Sequence, residues 1–202
     1  MKYNYLSFLA LIFIVATGCS TSFDYYISDS VFIEDVDNPG LPIYSEKGYN
    51  SFGVYWGLSP LTTGPAHDPS KIVVKGDSCH IHLSGSIGGV TPYTLVLSLP
   101  DYLPENYTEL LSLNNKSFGL TGTEYILSLL LGSEPLDLKI LEGSFTIKRA
   151  QNIYVDKELE GVVLSGIFSF KGTVDDQPAT FSNGRFDMRF GNENFFYLQE
   201  EE

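Results

Sequence analysis

From Val162 to Phe190 the residues change character in steps of two. Val162, Leu164, Phe168 and Phe170 share one parity, while Val163, Ser165, Ser169 and Lys171 hold the other. After the polar stretch Val174-Asp175-Asp176-Gln177-Pro178 the alternation resumes, with Phe186, Met188 and Phe190 on one side and Arg185, Asp187 and Arg189 on the other. Successive side chains of an extended strand point to opposite faces, so a two-residue period buries one face and wets the other. A helix cannot sort these residues, because its faces recur every 3.6 positions. Two such runs around an acidic turn make a half-buried antiparallel hairpin, and a lone hairpin is marginal in water. More strands must extend it. Short apolar or alternating runs bounded by Gly, Pro, Asn and Asp supply them at 52–57, 71–75, 79–83, 93–99, 136–141, 144–149, 152–155 and 194–198. The fold class expected is all-β, an antiparallel β-sandwich or lipocalin-like barrel of about eight to ten strands. One short helix is expected over 104–113, where Pro104 and Glu105 precede Tyr107, Leu110 and Leu111 at helical spacing. The apolar stretch 123–131 fits either a turn of buried helix or a strand.

The ends of the chain say where it goes. Lys2, the apolar run from Leu6 to Val15, and Ala16-Thr17-Gly18 ahead of Cys19 have the layout of a lipoprotein export signal. The run is too short to span a bilayer stably. The organisation expected is a signal peptide at 1–18, a lipidated N-terminus and tether at 19–37, one β domain at 38–198 and an acidic tail at 199–202. The domain opens on Asn38-Pro39-Gly40-Leu41-Pro42, where two prolines and a glycine favour a turn. Acyl chains on Cys19 would anchor the protein, since several chains hold a membrane stably where one does not. The formal charge is −13, and losing Lys2 with the leader makes the remainder more negative still. Such a surface repels phosphate backbones and anionic headgroups, which argues against nucleic acid as a partner and leaves the membrane contact to the lipid.

Few residues offer chemistry. With Cys19 acylated, Cys79 has no disulfide partner, and its alternating context reads as a small buried hydrophobe. His80 and His82 lie two apart in an expected strand, so both imidazoles share a face and form the best metal-like pair. A closed site needs more ligands, and the remaining histidine, His67, sits in the loop Gly64-Pro65-Ala66-His67-Asp68-Pro69. Asp35, Asp37, Gly40 and Glu46 match positions of a calcium loop, but Pro39 stands where an oxygen-bearing side chain is needed, and no helices flank it. There is no Gly-x-Ser-x-Gly elbow. Gly85-Ser86-Ile87-Gly88-Gly89 lacks the lysine of a phosphate loop and reads as a wide hairpin connection. Asp175-Asp176 falls in a turn, where acids are common. No catalytic residue and no cofactor is assigned. Aromatic clusters at Tyr49, Phe52, Tyr55 and Trp56, and at Phe195, Phe196 and Tyr197, serve either a β core or a sugar-stacking platform. Tyr55 and Trp56 are the binding candidates, because neighbours in a strand face opposite sides.

With the residues around Cys19, the segment from Asn38-Pro39-Gly40-Leu41-Pro42 through Ser51-Phe52-Gly53, the run Leu164-Ser165-Gly166-Ile167-Phe168-Ser169-Phe170 and the run Ser182-Asn183-Gly184-Arg185-Phe186-Asp187, the chain resembles a family of uncharacterised Bacteroidetes lipoproteins that carry a domain of unknown function. The resemblance implies a lipid anchor in the outer membrane and a sandwich or barrel, and it brings no catalytic residues. Surface-displayed members carry several acids after the lipidated cysteine, whereas Ser20-Thr21-Ser22-Phe23-Asp24 has one, so the cell surface and the periplasmic face both stay open. Asp29-Ser30-Val31 is similar to the short O-glycosylation motif of that group. The function expected is non-catalytic binding of a ligand, such as a glycan, or of an envelope protein. The alternatives are a glycan-processing or metal-dependent hydrolase using scattered carboxylates or His80 and His82, and a pilus-like assembly subunit.

Overall fold

The computed structural model describes residues 30–64, 70–122 and 125–198. They form fourteen strands and one 3-10 helix. In chain order the strands are β1 (Glu34–Asp35), β2 (Asn38–Pro42), β3 (Ser51–Trp56), β4 (Ser59–Thr62), β5 (Lys71–Lys75), β6 (Ser78–Ile87) and β7 (Thr91–Pro100). The helix, Tyr107–Leu113, follows β7 and precedes β8 (Lys116–Gly119), β9 (Ile126–Leu131), β10 (Glu134–Leu136), β11 (Leu138–Val155), β12 (Glu158–Val174), β13 (Gln177–Phe190) and β14 (Phe195–Leu198). Strands β1 and β2 pair with each other; the other twelve make one sheet in the order β10-β9-β7-β6-β4-β3-β13-β12-β11-β8, with β5 also on β6 and β14 on β5. The sheet curls into a half-barrel. Its ladders are antiparallel, as in the long β11–β12–β13 meander, apart from the parallel pair of β14 with β5. Among the described residues no helix is long and apolar enough to cross a membrane.

The all-β class expected from the alternation is the class observed. The number of strands exceeds eight to ten because β1, β4, β8 and β10 have only two to four residues each, too few to show a period. The opposite happens in β11. Its runs at 136–141, 144–149 and 152–155 look separate because register shifts at Ile140/Glu142, Ile147/Arg149 and Ile153/Tyr154 reset the parity within one strand. The open stretch at 123–131 supplies β9, and the expected helix shortens to 107–113, capped by Asn106, whose side chain accepts the Thr108 N–H.

The core is built on glycines that face aromatic rings. Gly166 of β12 lies opposite Phe186 of β13, and Phe168 of β12 lies opposite Gly184 of β13. A Cβ on Gly166 would come within 2.6 Å of the Phe186 ring, and one on Gly184 within 2.6 Å of the Phe168 ring. Each ring therefore fills the space its partner leaves, and Phe145 stacks on both rings at 5.4 and 5.0 Å. The dipeptide Asn183-Gly184 reads locally as a turn, yet it lies inside β13. Asn183 takes a left-handed φ of 53° at a register shift between Ser182 and Arg185, which returns Gly184 and Phe186 to the core side after Phe181.

The expectation of a half-buried hairpin is corrected for its open end, away from the Asp175-Asp176 turn. Val163, Ser165, Asp187 and Arg189 face away from the core, yet they are 1%, 0%, 1% and 6% exposed. Residues 41–50 cross that face and are gripped by every second residue of β13. The Asn183 amide donates to Asn38 Oδ1 at 2.6 Å. Arg185 binds the Asp35 carboxylate and the Pro42 carbonyl. Asp187 accepts the backbone N–H groups of Lys47, Gly48 and Tyr49 at 3.1, 2.8 and 3.2 Å, together with the Ser165 hydroxyl at 3.1 Å. The Arg189 N–H donates to Asn50 Oδ1 at 2.8 Å. The residues just before the strap are held as well, and β1, whose Asp35 binds Arg185, falls within the stretch read as tether.

Candidate functional site

The outer face of the β14-β5-β6-β7-β9 region carries a wide concavity. On β6, Cys79, Ile81 and Leu83 go into the core, so by the strand period His80, His82 and Ser84 face out. The ladders then set their neighbours: Lys71 beside His82, Val73 beside His80, Thr94 beside Ser84 and Leu130 beside Thr94. The parallel pairing puts Phe196 next to Val73. The turn before β14 is fastened by Asn194, whose amide donates to the carbonyls of Ser70 and Arg189 at 3.1 and 2.9 Å and whose carbonyl oxygen accepts the Gly191 N–H at 2.9 Å. That turn raises Glu193 as a wall.

The result is a pocket of about 640 Å³. Lys71, His82, Ser84, Thr94 and Glu193 are among its polar groups, and Leu130 and Phe196 are apolar walls. Burial, then the nearby Lys71 and His80, push the His82 imidazole down to about 4, so it is neutral at neutral pH. Burial lowers His80 as well, and its Nδ1 lies 2.8 Å from Ser98 Oγ. Ser84 and Thr94 share a hydrogen bond of 3.1 Å. One Glu193 oxygen is held by Arg189 at 2.6 Å. Lys71 is exposed and makes no ion pair among the described residues.

The histidine pair shares one face, as its spacing predicts, but among the described residues no group of three His, Cys, Asp or Glu is placed to hold a metal ion. His67 and Cys19 lie outside the described residues. Tyr55 and Trp56 are split across β3. The Tyr55 hydroxyl donates to the Pro39 carbonyl at 2.7 Å, while Trp56 packs against Phe181 and Tyr93 at 5.0 and 5.2 Å, and neither lines the pocket. Cys79 is fully buried, and that burial pushes its thiol up to about 12. The would-be calcium ligands are engaged elsewhere. The Asn38 amide, the Asp37 N–H and the Arg185 guanidinium hold the Asp35 carboxyl below its usual range, and Glu46 accepts the Tyr44 hydroxyl at 2.8 Å. Asp175 and Asp176 form the β12–β13 turn with φ of 49° and 60°, and Gly88 and Gly89 shape the β6–β7 turn.

Lys71, Ser84, Thr94 and Glu193 were not singled out by the sequence, whereas Phe196 belongs to an aromatic cluster read there as either core or sugar platform. Parity in β6 and β7 could have placed Ser84 and Thr94 on the face of His82. Nothing local could have brought Glu193 and Phe196 to Lys71. A smaller concavity of about 340 Å³ lies on the outer face of β11, β12 and β13, beside Tyr44, Thr146, Ile167 and Arg185; its arginine is committed to the strap. Comparison with protein-family models, with curated proteins and with solved structures finds no match in any of the three.

Proposed function

We propose that the chain is a cell-envelope protein, lipid-anchored at the outer membrane through Cys19, whose β domain acts by binding a ligand. The observation that carries this reading is the pocket of about 640 Å³ around His82, in which an apolar wall faces several convergent polar groups. Small-ligand sites are built in that way and span roughly 300–1,000 Å³. The anchor is supported by the leader and by Cys19 itself. Metabolic labelling with palmitate in a host that lipidates exported proteins tests it. Label and membrane fractionation should both be lost in Cys19→Ala, and a variant that keeps them ends the anchor reading. For the binding reading, the mature protein in detergent is screened by thermal shift against oligosaccharides, peptides and small metabolites. A true ligand raises the melting temperature with its concentration, since it binds only the folded state. Turnover of that ligand would replace binding with catalysis.

A further inference from the structure

We infer that the ligand class of this pocket is a saccharide carrying a carboxylate, an inference that rests on reading the pocket as a binding site. Charge is the first argument. The whole chain has a formal charge of −13, yet the pocket inverts that sign. Glu193 is neutralised by Arg189 behind it, which leaves the ammonium of Lys71, without an ion pair among the described residues, as the net charge facing the cavity. An anionic group on the ligand is the partner that completes it.

The remaining lining selects among anions. A phosphate needs several converging donors, and here His82 is neutral and Lys71 is the one cation without an ion pair among the described residues of the lining. A fatty acid needs an enclosed apolar channel, whereas this cavity mixes hydroxyls with its apolar walls and the Phe196 residue at its edge is 43% exposed. Sugar rings present an apolar C–H face bordered by hydroxyls. Phe196 offers an aromatic surface for that face. Ser84 and Thr94 can each donate and accept, as sugar hydroxyls do, and the second Glu193 oxygen is an acceptor held in place by the Arg189 contact.

The test is calorimetric titration of the mature protein in detergent with three probes: sialyllactose, digalacturonic acid and neutral lactose. The acidic sugars should bind about tenfold or more tightly than lactose at low salt, and the preference should shrink as salt screens it. Lys71→Gln should bring the acid-to-neutral ratio to about one. Phe196→Ala should weaken all the saccharides by roughly tenfold. The salt series on the unaltered protein keeps the test independent of whether either variant folds. Equal affinity for lactose and the acids, or a preference that survives Lys71→Gln, overturns the carboxylate. If no saccharide binds while the wider screen yields another ligand, the saccharide class falls and the binding reading stands; if nothing binds in either, both fall.

Discussion

Asp187 is a carboxylate 1% exposed, with no cation within ion-pair distance among the described residues. Hydrogen bonds take the place of a counter-charge. Three backbone N–H groups of the strap and the Ser165 hydroxyl point at its two oxygens, an arrangement that stabilises an anion by oriented dipoles. Asp187→Ala would strand those donors beneath the strap and should cost about 3–5 kcal/mol in urea unfolding. Asp187→Asn keeps one acceptor and should cost about half of that. His82 sets a pH dependence. Its imidazole is pushed down to about 4 in the folded protein, against an ordinary value of 6.5. Below pH 6.5 the unfolded chain therefore binds the proton first, and stability present above that pH is lost as pH falls toward 4. For a ring with partial solvent access the loss is about 1–2 kcal/mol after screening. His82→Gln should flatten that part of the stability profile relative to the parent; identical profiles would refute the assignment.

At the scale of elements, β12 and β13 interlock through the reciprocal glycine and phenylalanine pairs. A methyl at Gly166 would meet the Thr146 carbonyl at 2.1 Å and the Phe186 ring at 2.6 Å. The carbonyl belongs to a strand paired with β12 and cannot recede, so Gly166→Ala should destabilise by about 2–4 kcal/mol, read as a drop in melting temperature. Gly119→Ala in β8 is the control. Nothing lies within 4 Å of its Cβ position, and the change should be near neutral. The alternation that foretold this hairpin was legible because a strand's parity depends only on neighbours in the chain. The glycine-to-ring matching was not, because it depends on register across the pair, and the Asn183 bulge shifts that register midway. Strand β11 was misdivided for the same reason: each bulge breaks the period from which strands are read.

Across the whole molecule, the strap ties the N-terminal entry of the domain to its last long strand. Deleting through residue 50 removes the partners of Asp187, Arg185 and Asn183 and uncovers Val163. That chain should bind a hydrophobic dye and lose its cooperative transition. By itself the sequence determined the all-β class, the long closing hairpin, the burial of Cys79 and the common face of His80 and His82, because each follows from local period and polarity. Only the tertiary structure decided that residues 41–50 cover the outer face of β12 and β13, and that β14 lies parallel to β5 and completes the pocket beside Lys71. The β14–β5 ladder is made by backbone hydrogen bonds, which are nearly the same for every residue type, and the strap is held by side chains more than 130 residues away in the chain, so no local pattern announces either pairing.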